Sequence, residues 1–149
     1  MDNRSMDELL KPFGFTLELP ILWGYMDAMQ HVNNTVYLRF FESGRIAYMD
    51  EIGKSLRVPL SASMILHSVN CRFRIPLTYP DRVTVAVRTL KIEHDRMTLE
   101  HAVISHAHQK VAAEGTCIVV AYDYEKQSKA PISENIRKRI IEFDNPQIV

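Results

Sequence analysis

Apolar and polar residues change their period twice along this chain. Over residues 15–23, FTLELPILW, they alternate well enough for a strand, with Pro20 marking a bulge or an edge. From Asn34 the pattern becomes helical and aromatic-rich. Val36, Tyr37, Leu38, Phe40, Phe41, Ile46, Ala47, Tyr48 and Met49 are apolar, and neither Pro nor Gly interrupts them before Gly44. The expectation is a helix over residues 34–52, stopped by Gly53. Its apolar positions cover most of the circumference, which predicts an enclosed helix. Arg39, Glu42, Ser43 and Arg45 form its polar part.

After Pro59 the period falls to two. Residues 64–77 read as one strand up to Pro76. Val83, Val85 and Val87 mark a half-buried strand, and Met97, Leu99, His101 and Val103 mark the next. Residues 111–124 are largely apolar, as in a central strand. A short helix at Met6–Leu10 opens the chain, and one at residues 134–143, capped by Ser133, closes it. The order is strand, long helix, then four strands in near-hairpin succession. That predicts one α+β domain over residues 1–149, an antiparallel sheet curled around the long helix. Such a sheet leaves an edge and part of a face uncovered, and a second copy is the economical cover, so a homodimer is the minimum expectation.

Composition adds exclusions. Eighteen basic residues balance 18 acidic ones, so no global field favours nucleic acid or an anionic membrane. No apolar run is long enough to span a bilayer. The start, MDNRSMDELLKPFG, has no apolar signal region, which points to the cytoplasm. Cys71 and Cys117 have no CxxC spacing and read as buried free thiols. His94, His101, His106 and His108 read as scattered surface histidines, not as metal ligands.

Candidate chemistry concentrates in WGYMDAMQHVNNTVYLRFFESGRIAY, residues 23–48. Asp27 and His31 lie four apart in a loop. Asn33 or Asn34 then opens the helix as its N-cap, and the free amides of the first turn suit a developing oxyanion. An acid/base pair beside an oxyanion cradle is what acyl transfer needs. Asp27 serves as base or nucleophile, or else caps a turn. His31 contacts the carbonyl or is a loop histidine satisfied by backbone. Glu42 is a second carboxylate facing the site or an ion-pair partner of Arg39 or Arg45.

MDAMQHVNNTVYLRFFESGR resembles the signature of the hotdog-fold thioesterases of the 4-hydroxybenzoyl-CoA thioesterase-like group, roughly D-x-D-x-x-G-H-V-N-N-x-x-Y-x-x-[YF]-[FL]-E-x-A-R. FRIPLTYPD, residues 73–81, is similar to the family's strand–Pro–Leu–x–Tyr–x–Asp turn. AEGT, residues 113–116, is similar to its last-strand segment. The likeness covers about residues 15–143.

The resemblance implies hydrolysis of an acyl-CoA thioester by a hotdog fold, dimers or tetramers with sites at subunit interfaces, and no metal or organic cofactor beyond the coenzyme A of the substrate. It makes Asp27 the working carboxylate, with His31, Asn34 and Glu42 as further catalytic candidates. Tyr25 stands where the family has its first acid, and Gln30 where it has Gly. Tyr25 and Asn33 are candidate substrate contacts. Arg96 matches a basic position used near the nucleotide, with Arg72, Arg74 and Arg88 as further cations. An acyl-ACP thioesterase and a non-catalytic acyl-CoA-binding hotdog module are the alternatives.

Overall fold

The computed structural model describes residues 2–149. Strand β1 (Phe15–Pro20) leads through a single 3-10 turn (Trp23–Tyr25) and a loop into the long helix α2 (Asn34–Lys54). Strands β2 (Met64–Val69), β3 (Arg72–Phe73), β4 (Arg82–Ile92), β5 (Arg96–Ser105) and β6 (Lys110–Asp123) follow. A short α1 (Met6–Leu10) precedes β1, and β7 (Ser128–Lys129), α3 (Glu134–Asp144) and β8 (Gln147–Ile148) complete the chain. The main antiparallel path is β1-β4-β5-β6-β2, with β3 and β7 added to β6, and β8 parallel to β4. This is the α+β architecture expected from the pattern, with α2 packed on the inner face of a curled sheet, and it is the hotdog arrangement that the resemblance implies.

The core lies between that face and α2. Phe41, Tyr48 and Ile52 of the helix are fully buried with Val83, Val85 and Val87 of β4 and Met97, Leu99 and Val103 of β5. Side chains of this kind each stabilise the fold by about 1.5–3 kcal/mol when removed from water. Gly44 sets how closely helix and sheet approach. A methyl there would stand 2.6 Å from Val85 Cγ1.

Five expectations change. β1 stops at Pro20 because the chain turns into the Trp23–Tyr25 helical turn. Gly53 does not end α2 by a left-handed residue. It lies inside the helix, where a Cβ would meet the Val58 carbonyl oxygen at 2.2 Å, and the C-cap is Ser55 in right-handed geometry. Residues 64–77 make two strands, because β2 pairs with residues 117–121 of β6 and β3 with Ala113 and Glu114. β4 is buried on both faces, since Thr84 and Ala86 on the outer side are covered as well as the valines. Finally, α2 is open along one side, where Leu38, Arg39, Glu42 and Ile46 are exposed beside the equally exposed Leu66 and Val69 of edge strand β2.

His101 is a correction of another kind. It is buried, not superficial, and its ring stacks on Phe41 at 4.9 Å with neither nitrogen hydrogen-bonded. Burial, reinforced by the nearby Arg45 cation, pushes its pKa down to about 3. Its residue type suggests the surface, but it alternates with Met97, Leu99 and Val103, and that shared register on β5 turns it onto the inner face.

Candidate active site

The loop between β1 and α2 is built by a few backbone bonds. The Asp27 N–H donates to the His31 carbonyl at 3.0 Å, the Asn33 N–H to the Tyr25 carbonyl at 2.9 Å, and the Gln30 N–H to the Asp27 carbonyl at 2.9 Å. Residues 27–30 therefore form a turn that closes a small hairpin around the Met26–Val32 bridge. The turn places Gln30 at φ 62°. That conformation favours glycine, which explains why the related signature carries Gly there.

Asp27 serves this turn directly. Its Oδ1 accepts the Met29 N–H at 2.8 Å. Such an Asx turn fixes the carboxylate and leaves Oδ2, which has no partner among the described residues, free to act.

The hairpin is anchored to the sheet. The Val32 N–H donates to the Leu77 carbonyl at 2.8 Å. The Tyr37 hydroxyl donates to the Ile75 carbonyl and accepts the Leu77 N–H, both at 2.9 Å. These bonds tie helix α2, the 75–77 segment and the loop to one another. Asp81 ties the following turn down, its carboxylate accepting the Arg82 and Ala107 amides and the Ser105 hydroxyl.

Asn33 is the N-cap of α2, its Oδ1 accepting the Thr35 N–H at 2.9 Å. Around the helix start the amides of Val32 and Asn33 are committed to the Leu77 and Tyr25 carbonyls. The amides of His31 and Asn34 have no acceptor among the described residues. Asn34, first residue of α2, adds the positive end of the helix dipole.

Within one protomer the candidates divide among several depressions. Asp27 lines a cavity of about 470 Å³ with Trp23, Met26, Gln30, Thr78 and Tyr79. His31 and Asn34 line a separate one of about 290 Å³ with Tyr37, Phe73 and Arg74. Tyr25 packs edge-on against Phe40 and shares a third with Arg39 and Glu42. Glu42 also borders a fourth with Leu38, Arg45 and Leu66. Glu42 forms no ion pair with Arg39 or Arg45; among the described residues its carboxylate is free.

Arg72 lies on β3 opposite Glu114, next to Phe73 of the His31 cavity. Arg96 is not brought near. It is ion-paired with Asp95 at 2.8 Å, at the far end of β5 from Ser105. That end lies roughly 30 Å along the strand. Arg96 could join the site only from another copy. Sequence reasoning missed Trp23, Thr78 and Tyr79 as cavity walls. Tyr79 stands in the PLTYPD turn, and that was the one signal available.

A curled sheet on one long helix, with a carboxylate turn just before the helix N-terminus, is the layout of a hotdog thioesterase. A family model described as the thioesterase-like superfamily matches residues 21–140, and the chain belongs to that superfamily. No curated protein matched. Among solved structures, a thioesterase from Thermus thermophilus complexed with coenzyme A and Zn is 25% identical, with TM-score 0.79, over 91% of this chain and 98% of that one. A thioesterase-superfamily structure from Jannaschia shares the fold at 24% identity and TM-score 0.82, over 93% of this chain and 87% of the other. So does a protein from Staphylococcus aureus, solved with CoA, at 14% identity and TM-score 0.79, over 89% and 85% of the two chains.

Proposed function

We propose that this protein hydrolyses an acyl-CoA thioester to a free acid and coenzyme A. The observation that carries this reading is the Asp27 turn, which leaves the carboxylate Oδ2 free and leads through the backbone-bonded loop to the free Asn34 amide at the start of α2. A water attacks the thioester carbonyl carbon while Asp27 takes its proton, or Asp27 itself attacks and water releases the acyl group afterwards. The carbonyl oxygen gains negative charge and is held by the Asn34 N–H, with the His31 N–H as a second donor. Collapse breaks the C–S bond. The departing thiol, with a pKa of about 8.5, needs little help from an acid.

This chemistry draws on a carboxylate and backbone amides, and coenzyme A enters as part of the substrate. The coenzyme A bound in the Thermus relative supports a CoA thioester. His31, Glu42, Tyr25 and Asn33 are proposed as surrounding contacts, and Arg72 or a partner's cation as a phosphate contact.

A homodimer fits this site. The exposed Leu66 and Val69 of edge strand β2 run beside the exposed Leu38 and Ile46 of α2. A second copy on that side would cover them and close the Glu42 depressions. The two free thiols fit a reducing compartment such as the cytoplasm.

The test is release of free thiol from a panel of benzoyl-, short- and long-chain acyl-CoAs, with matching carrier-protein thioesters alongside. Turnover of a CoA ester supports the reading. A strong preference for the carrier protein turns it into an acyl-ACP thioesterase. Tight acyl-CoA binding with no thiol released makes it a binding module.

A further inference from the structure

Arg45 is the one Lys, Arg, Asp or Glu among the described residues that the fold buries, at 7% exposed. It has no ion-pair partner there. The polar groups beside it inside the fold are His101 and Cys117, and neither is negative. Burial keeps both neutral, lowering the pKa of the imidazole to about 3 and raising that of the thiol. A cation stripped of water and left unpaired is an arrangement a fold rarely holds without a use.

Arg45 is not sealed in. It lines the depression of about 200 Å³ that Leu38, Arg39, Glu42, Leu66 and Val69 complete. Leu38, Leu66 and Val69 are exposed there. The site is therefore a desolvated guanidinium behind an open, largely apolar mouth. A carboxylate delivered on an apolar surface would pair with it and shut the water out.

We propose that a second copy of this chain delivers that carboxylate, Arg45 of each copy donating to Glu42 of the other. The inference rests on the homodimer reading above and names the contact that sets its register. A two-fold contact is self-complementary, so that if residue i meets j, then j meets i. With α2 antiparallel to its copy and the axis beside Glu42, Leu38 faces Ile46 of the other copy, since each lies four residues from Glu42. The two glutamates then flank the axis, each between Arg39 and Arg45 of the other copy. Three residues displace Arg45 by about 4.5 Å along the helix, a distance a guanidinium arm spans. Glu42 is exposed and unpaired in its own chain. Arg39 stands in water, where a pair is worth little. Arg45 is already desolvated in the single chain, so at that end the contact adds attraction without a further penalty.

The experiment measures the dimer dissociation constant of the full-length chain by sedimentation, with circular dichroism melts to establish that each variant folds. Arg45→Met and Glu42→Gln are each expected to weaken the dimer about a hundredfold, as the loss of a desolvated charge pair does. The double variant should lose no more than either alone, because the two share one interaction. Glu42→Lys and Arg45→Glu chains should each be monomeric by themselves and associate when mixed, because only unlike chains restore both pairs. A pair made within one chain gives no such rescue. Additive losses in the double variant, or no rescue on mixing two folded chains, overturn the pair and leave a dimer held by other contacts. If Arg45→Glu does not fold, the Met and Gln cycle decides. Acetate binding that is lost in Arg45→Met while the dimer is unchanged assigns the cation to a small anion and overturns the pair as well. A monomeric wild-type chain overturns both the pair and the homodimer, and thiol release judges the hydrolase reading separately.

Discussion

Asp27 and His31 are locked together by their backbones while their side chains serve different depressions. The Asp27 N–H meets the His31 carbonyl at 3.0 Å. The carboxylate borders the Trp23–Tyr79 cavity and the imidazole borders the Asn34–Phe73 cavity. The loop therefore contributes its carboxylate to one cavity and its imidazole to another.

That arrangement makes Asp27→Asn the informative change. The amide oxygen of Asn can still accept the Met29 N–H, so the turn survives while the base is lost. Turnover is expected to fall at least about a hundredfold, with the melting temperature within a degree or two of wild type. Undiminished thiol release from the folded variant would reduce Asp27 to its Asx-turn role.

Gln30 is the strained residue of the same turn, at φ 62°. Glycine adopts that conformation freely but has more freedom to lose on folding, by about 0.5–1 kcal/mol. The two effects oppose each other, and relief of the left-handed strain, about 1–2 kcal/mol, is the larger. Gln30→Gly is expected to leave turnover intact and to raise stability to urea by up to about 1 kcal/mol. A loss of stability would mean that the Gln30 side chain holds the loop.

Local signals made much of this molecule legible. Ser133 and the pair Asn33–Asn34 announced two helix starts, and the run from Val36 to Met49 announced the helix that organises the core. What stayed hidden was decided between distant elements. The helix reads as enclosed in sequence because Leu38 and Ile46 are apolar, yet both lie on its exposed side. His101 is expected at the surface for its residue type, although it shares the alternation of Met97, Leu99 and Val103 that turns it inward against Phe41. The candidate residues cluster in sequence. Their division among several depressions involves Tyr79 and Phe73, which arrive from a distant part of the chain.

Gly44 is another such case, since its need is visible only once α2 lies on β4. Gly44→Ala should help an isolated helix by about 1 kcal/mol. Here the added methyl would sit 2.6 Å from Val85 Cγ1 and 3.1 Å from Val87 Cγ2. Overpacking of this kind costs about 1–3 kcal/mol, so net destabilisation is expected. Denaturant melts of Gly44→Ala alone and with Val85→Ala would check it. The second substitution should recover most of the loss, and no recovery would place the clash elsewhere.

The buried imidazole sets a limit on acid tolerance. His101 stays neutral in the fold, its pKa pushed down to about 3 by burial and by the Arg45 cation. In the unfolded chain it takes a proton near pH 6.5, about the ordinary value for histidine. Between those values the unfolded state binds more protons, so stability from this group is complete above about pH 6.5 and is lost as pH falls towards 3. His101→Phe would keep the stack on Phe41 and remove both unpartnered nitrogens. The variant is expected to melt at or above the wild-type temperature at neutral pH and to lose less on transfer to about pH 5. A steeper acid loss in the Phe variant than in wild type would show that the histidine is not what makes the core acid-sensitive.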